Sequence, residues 1–235
     1  MIDRWTHVWI QPPLRYLAEK LKKANIQNTD VQTPDFQALD FQALDFQALD
    51  FQARVTPDQL TLIGFIIGLL TLPALMLEWY IVALVLILLN RILDGLDGAL
   101  ARLVGPTDAG GFLDITLDFL FYSVVIFGFA LADPLQNALP AAFLIFCFIG
   151  TGSSFLAFAI MAEKHRLERV QFDNKSLHYL GGLTEGTETL LFYIAICLWP
   201  GWFPVLATGF GILCLMTTTT RIYGGYQTLK RNALS

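Results

Sequence analysis

The chain alternates long apolar runs with short polar breaks, and that pattern leaves few folds open. A helix needs about 20 apolar residues to cross roughly 30 Å of hydrocarbon. Runs of that order lie near 61–79, 81–101, 110–132, 138–161, 184–200 and 203–220. They are continuous and lack the alternation of barrel strands, so helices are expected. The fifth run is weakened by the polar stretch from Thr184 to Thr189, and the second and third carry carboxylates. Only 15% of residues are charged and 55% are hydrophobic, against about 25% and about 45–50% in soluble domains. This balance excludes a disordered chain, a nucleic-acid binder built on a basic surface, and an ordinary cytosolic domain. The expected fold class is an all-α polytopic membrane protein with six transmembrane helices.

The basic residues support that count. Arg4, Arg15, Lys20, Lys22, Lys23 and Arg54 precede the first run, and Arg91 and Arg102 lie late in the second run or just after it. Lys164, Arg166, Arg169 and Lys175 fill the fourth connection, and Arg221, Lys230 and Arg231 follow the sixth run. With six spans all of these fall toward one side, and the loops near 80, 134 and 201 carry none. The positive-inside rule then places both termini in the cytoplasm. Trp79, Tyr80, Trp199 and Trp202 mark the opposite interface as an aromatic belt.

Ahead of the spans, Trp5, Trp9, Ile10, Leu14, Leu17 and Leu21 are interleaved with basic residues. Pro12 and Pro13 interrupt this segment, and the part after them reads as an amphipathic helix on the cytoplasmic surface. The segment has no uninterrupted apolar core, which argues against a cleaved signal peptide. Residues 35–52 read DFQALDFQALDFQALDFQ. A period of five gives no clean buried face on a helix or a strand. Residues 27–55 therefore read as a low-complexity insertion between a juxtamembrane segment, 1–26, and a six-helix domain, 56–235. The insertion holds five aspartates against Arg54, so it supplies -4 of the net -5. Cys147, Cys197 and Cys214 lie inside apolar runs with no metal-ligand spacing and read as small buried hydrophobes.

The remaining charges are concentrated in NRILDGLDGALARLVGPTDAGGFLDITLDF, residues 90–119. Asp94 and Asp97 stand three apart, with Gly98, Ala101 and Arg102 continuing on nearly the same helical face. Asp114 and Asp118 stand four apart on the next helix, with Gly110 one turn earlier. A short turn brings the two acidic faces together. Four carboxylates at a membrane helix pair cannot stay uncompensated, and hard oxygen donors suit Mg²⁺ or Mn²⁺. The small residues leave room for a bulky group or a close backbone, and the Arg102 fork suits phosphate. A cation or proton transporter is the alternative that these residues leave open.

The run Asp94-x2-Asp97-Gly98-x2-Ala101-Arg102-x7-Gly110-x3-Asp114-x3-Asp118 resembles the signature of the CDP-alcohol phosphotransferases, the CDP-alcohol phosphatidyltransferase family. Its spacer of seven after Arg102 is at the short end of the family's range. Six spans with cytoplasmic termini and a preceding surface helix are similar to that family too. The resemblance implies a Mg²⁺- or Mn²⁺-dependent transfer of a substituted phosphate from a CDP-alcohol to an acceptor hydroxyl, with loss of CMP. It implies that Asp94, Asp97, Asp114 and Asp118 surround the metal and that Asp118 takes the acceptor proton. It assigns Gly98, Ala101, Arg102 and Gly110 to the cytidine and pyrophosphate site, with Asp94 and Asp97 beside the nucleotide and Thr107 as a further contact. It also implies a homodimer in contact with membrane lipids. The GTGSSFLAFAIMAEK and YLGGLTEGTET segments look most like a bacterial inner-membrane branch of the family, with CDP-diacylglycerol as the favoured donor.

The last third of the chain says less. Glu185 and Glu188 enter the fifth helix from the side of the aspartates, either to shape an acceptor pocket or to cap the helix. Lys164, His165, Arg166 and Lys175 either meet an anionic acceptor or serve topology alone. His7 and His178 have no assigned role.

Overall fold

The computed structural model describes residues 12–23, 55–165 and 184–232. Arg4, the DFQAL tract, Arg166, Arg169, Lys175 and His178 lie outside the described residues. Every described element is a helix. Helix α1 spans 12–23, and α2 (Pro57–Leu69), α3 (Thr71–Met76), α4 (Tyr80–Val104) and α5 (Asp108–Ala132) follow. Then come α6 (Pro134–Lys164), α7 (Gly186–Leu198), a short 3₁₀ turn (Pro200–Trp202) and α8 (Phe203–Asn232).

Local chemistry sets the boundaries. Pro12 and Pro13 are themselves helical, so the described part of α1 includes both prolines and does not begin after them. Thr56 and Gln59 cap α2 reciprocally, at 3.2 and 3.0 Å. Pro73 removes a donor and crowds the preceding turn, and the helix breaks between α2 and α3. Gly105, with φ of 107°, makes the turn from α4 to α5 in a conformation that L side chains resist. Thr107 then caps α5 by accepting from the Gly110 N–H at 3.0 Å. The final helix runs to Asn232, beyond the expected end at 220. Thr218, Thr219 and Thr220 return their hydroxyls to carbonyls of the same helix, as Thr218 does to Cys214 at 2.9 Å, so a polar stretch continues as helix.

Four helical stretches are long and apolar enough to cross a membrane: Pro57–Met76, Asp108–Ala132, Pro134–Lys164 and Pro200–Arg231. Two of the six expected spans differ. Helix α4 has 25 residues but carries Arg91, Asp94, Asp97 and Arg102. Helix α7 has only 13 residues, because its start is delayed to Gly186 by the polar segment before it. Large apolar side chains are exposed along the bundle, including Ile66, Ile81, Val85 and Ile212. A surface of that kind suits lipid.

Helix α6 packs along α8, α2 along α4, and α5 against α2, α3 and α6, while α4 also meets α7. The core holds Leu75, Ile87, Phe121, Phe129, Leu144, Tyr193 and Phe203, with the three cysteines buried in it. Tyr80 stacks on Phe129 at 5.7 Å and Phe129 on Phe203 at 4.7 Å, so the α3–α4 and α7–α8 turns share one end. Trp79, Trp199 and Trp202 stand exposed at that end. At the opposite end α1 lies against α4, with Ala18 fully buried among Leu60, Ala99 and Leu100. Leu14 faces Gly95, where any Cβ would come within 2.8 Å of it. Lys22 donates to the Leu103 carbonyl at 3.0 Å, which satisfies part of the α4 C-terminus.

Lipid tails are as apolar as leucine, so helix association here depends on close packing and hydrogen bonds. Gly68 shows how tight the fit is: an added Cβ would sit 2.7 Å from Phe121 Cδ2 and 2.9 Å from Asn90 Nδ2, both buried. At Gly110 the nearest atom is Asp58 Oδ1, also at 2.8 Å, but Asp58 is exposed and free to swing aside. Gly68→Ala is therefore expected to cost about 1–3 kcal/mol through overpacking. Gly110→Ala should cost clearly less. Thermal unfolding of the purified variants in one detergent measures the difference.

Candidate active site in the helix bundle

Helices α4 and α5 are joined by the Gly105 turn, and α2 packs against both. One narrow cavity results, lined by Thr61, Gly64, Phe65, Asn90, Arg91, Asp94, Asp97, Asp114, Leu117 and Asp118. All four sequence-predicted metal-site aspartates share its wall. Asp97 is buried and accepts a hydrogen bond from the Thr61 hydroxyl across the α2–α4 contact. Asp94 of α4 and Asp114 of α5 line the same cavity. Carboxylates gathered in one cavity call for a proton or a cation among them.

Arg91 is the positive charge in this wall. Its Nη2 donates to Asp118 Oδ1 at 2.6 Å, and its Nη1 lies 3.7 Å from Asp94 Oδ2. Nε and Nη2 both donate to Asn90 Oδ1, at 2.8 and 2.7 Å, and Nη1 to the Tyr122 hydroxyl at 3.3 Å. The guanidinium carbon sits 4.6 Å from the Phe121 ring centre. Asn90 is held in turn by donating to the Gly64 carbonyl of α2 at 2.8 Å. Three helices are thus joined through polar groups that have partners.

The other predicted contacts stand beside this cavity. Gly98, Ala101 and Arg102 continue the acidic face of α4 toward its C-terminus, with Arg102 exposed. Nothing but Arg102 Nη1, at 3.5 Å, approaches the space a Cβ on Gly98 would take. Thr107 and Gly110 form the cap of α5. Among the described residues, no three Asp, Glu, His or Cys side chains converge as a ready-made metal cage. The donor set nevertheless fits a hard divalent cation: four carboxylates on one cavity wall, against one guanidinium.

A second cavity of about 180 Å³ lies along α5, lined by Phe119 and by Tyr122, whose hydroxyl is 3.5 Å from Asp118 Oδ2. Thr151, Thr184, Glu185, Thr189 and Arg221 also line it. Arg221, expected to follow the sixth span, is buried in α8 and donates to the Thr151 carbonyl at 3.3 Å. The Glu185 N–H donates to Glu188 Oε2 at 3.3 Å, so Glu188 acts in the helix cap while Glu185 also faces the cavity.

Sequence reasoning misses Thr61, Asn90 and Tyr122, and it counts Arg91 only as a topology signal. Arg91 has a readable cue, since it stands three residues before Asp94 on the same helical face. Thr61 has none, because its partner is 36 residues away on another helix.

Comparison with known proteins gives a consistent result. The family model described as CDP-alcohol phosphatidyltransferase matches residues 54–220. The Escherichia coli (strain K12) protein named inner membrane protein YnjF is 64% identical over 176 residues, covering 75% of this chain and 85% of that protein. The archaetidylinositol phosphate synthase of Pyrococcus horikoshii is 46% identical over 78 residues, or 33% of this chain and 42% of that enzyme. The crystal structure of Mycobacterium tuberculosis phosphatidylinositol phosphate synthase (PgsA1) with CDP-DAG bound superposes with a TM-score of 0.55 at 19% identity, covering 73% of this chain and 87% of that one. The same enzyme in complex with manganese and citrate gives 0.56 at 19% identity, covering 73% and 83%. At that identity the likeness shows the fold, while the matched family model reaches across α2 to α8. The chain belongs to the CDP-alcohol phosphatidyltransferase family and is a membrane-embedded transferase of phospholipid biosynthesis.

Proposed function

We propose that the protein catalyses divalent-metal-dependent transfer of a substituted phosphate group from a CDP-alcohol, with CDP-diacylglycerol the favoured donor, to an acceptor hydroxyl, releasing CMP. The observation that carries this reading is the convergence of Asp94, Asp97, Asp114 and Asp118 on one cavity between α4 and α5. Asp94, Asp97, Asp114 and Asp118 would hold Mg²⁺ or Mn²⁺. When bound, the cation supplies electrostatic stabilisation of charge on the pyrophosphate and the departing CMP.

The chain's own residues do the rest. Gly98, Ala101 and Gly110 leave a small-residue surface for the nucleotide, and the exposed Arg102 fork meets phosphate oxygens. Asp94 and Asp97 sit at its inner edge, and Thr107 holds the α5 cap beside it. The acceptor oxygen bonds to the phosphorus that carries the donated alcohol, and the bond from that phosphorus to CMP breaks. Asp118 receives the acceptor proton, from a position next to the second cavity, which is the room available for the acceptor.

The one-sided basic residues and the likeness to an inner membrane protein support six spans in a bacterial inner membrane, with termini and site on the cytoplasmic side. In this reading α4 is a span whose Arg91, Asp94 and Asp97 face the cavity, and α7 is a short one. Residues 56–235 form the catalytic domain, residues 1–26 the juxtamembrane segment, and 27–55 a passive insertion. A homodimer follows from the family resemblance. A cation or proton pathway would need acids spread through the membrane. Among the described residues, the cavity acids occupy one end of α4 and α5, and Glu78 and Asp133 stand at the opposite turns.

Asp118→Asn is expected to lower CMP release by at least about 100-fold while CMP binding stays within about twofold. Steady-state CMP release and calorimetric CMP titration measure the two; unchanged turnover would exclude Asp118 as the base. Chelation with EDTA should abolish CMP release from CDP-diacylglycerol, and added Mn²⁺ or Mg²⁺ should restore it. Release that persists in chelator would overturn the metal requirement, and mass analysis of the lipid product identifies the acceptor.

A further inference from the structure

Resting on that transferase reading, we propose that Arg91 is a positioning residue of the reaction: its guanidinium fixes the Asp118 carboxylate at the cavity wall and tempers the hold of the four acids on a divalent cation. An arginine kept only as a topology signal would reach the membrane surface, where its charge is hydrated. Arg91 does the reverse. Its side chain is 14% exposed, and it points into the cavity between α4 and α5.

The geometry defines what it fixes. Two donors are spent on Asn90 Oδ1, which is itself tied to the Gly64 carbonyl of α2, so the guanidinium plane has one orientation. A third donor meets the Tyr122 hydroxyl at 3.3 Å, and the Phe121 ring covers one face at 4.6 Å. The donor that remains on Nη2 reaches Asp118 Oδ1 at 2.6 Å. Asp118 is thereby held by a group anchored to two other helices, and the anchoring needs a planar fork. A lysine ammonium keeps the charge but cannot serve Asn90, Tyr122 and Asp118 in that plane.

The charge has its own consequence. Arg91 sits against Asp118 and is 3.7 Å from Asp94, so it repels any cation these two acids attract. Removing it leaves four acids without their fixed counter-charge and Asp118 without its anchor. Cation affinity should rise as turnover falls, a combination that a purely structural ion pair would not produce.

The test uses full-length protein in nanodiscs, as wild type, Arg91→Gln, Arg91→Lys and Asp118→Asn. Mn²⁺ binding is read from the free-ion electron paramagnetic resonance signal, and kcat and KM from CMP release. Arg91→Gln should bind Mn²⁺ about tenfold more tightly. Its kcat should fall by about 100-fold, with KM for the donor within about twofold. Arg91→Lys should keep wild-type Mn²⁺ affinity and show an intermediate fall in kcat. Wild-type kcat in Arg91→Lys overturns the positioning role even if Arg91→Gln does not fold. Unchanged or weaker Mn²⁺ binding in folded Arg91→Gln overturns the electrostatic one. If wild-type protein neither binds Mn²⁺ in an Asp118-dependent way nor releases CMP, the transferase reading itself fails, a result distinct from either.

Discussion

Four carboxylates between two apolar helices can persist only where their charge is answered, and much of the bundle is arranged around that requirement. An isolated ion in hydrocarbon is too costly to keep, so intramembrane acids face the interior and find partners. Here the answer within the chain is Arg91 against Asp118 and Asp94, with Thr61 on Asp97. Arg91 brings a problem of its own, since five donors must be satisfied away from water. Asn90 and Tyr122 accept from it, and Asn90 passes the constraint to the Gly64 carbonyl. The polar chain from α2 through α4 to α5 is thus a single unit in which each group depends on the next.

That unit explains packing that otherwise looks incidental. Gly64 and Gly68 bring α2 close enough for Asn90 to reach a backbone carbonyl, and Gly68 leaves no space for even a methyl group beside Phe121. Gly128 does the same between α3 and α5, where a Cβ would come within 2.6 Å of Leu75. In a bilayer such contacts replace the hydrophobic drive that assembles soluble bundles. Helix α1 braces the outer side of α4, with Leu14 on Gly95 and Lys22 on the Leu103 carbonyl. The rigid side of α4 and its chemical side are therefore two faces of one motif.

Much of this is legible in the amino-acid sequence. Apolar length locates most of the helices. Spacing places Asp94 with Asp97 and Asp114 with Asp118, because residues three and four apart share a helical face whatever the tertiary context. The differences have local causes as well. Hydropathy ends the last helix at a run of threonines, of which Thr218, Thr219 and Thr220 bond within that helix, and it credits α7 with residues that remain outside it. Two prolines that suggest an interruption are themselves helical. Thr107 and Gly110 are nucleotide contacts by resemblance, and the structure adds a capping bond between them.

The amino-acid sequence by itself determined that the chain is helical and membrane-embedded, where its acids lie, and which residues share each helical face. These are properties of composition and short spacing, set by the rise and turn of a single helix. Only the tertiary structure decided that α2 joins the site, that Arg91 turns inward to Asp118, and that Arg221 is buried beside a second cavity. Those contacts join residues 27 to 70 positions apart. No local rule encodes them, because they depend on which helix faces pack together once the chain has folded back on itself.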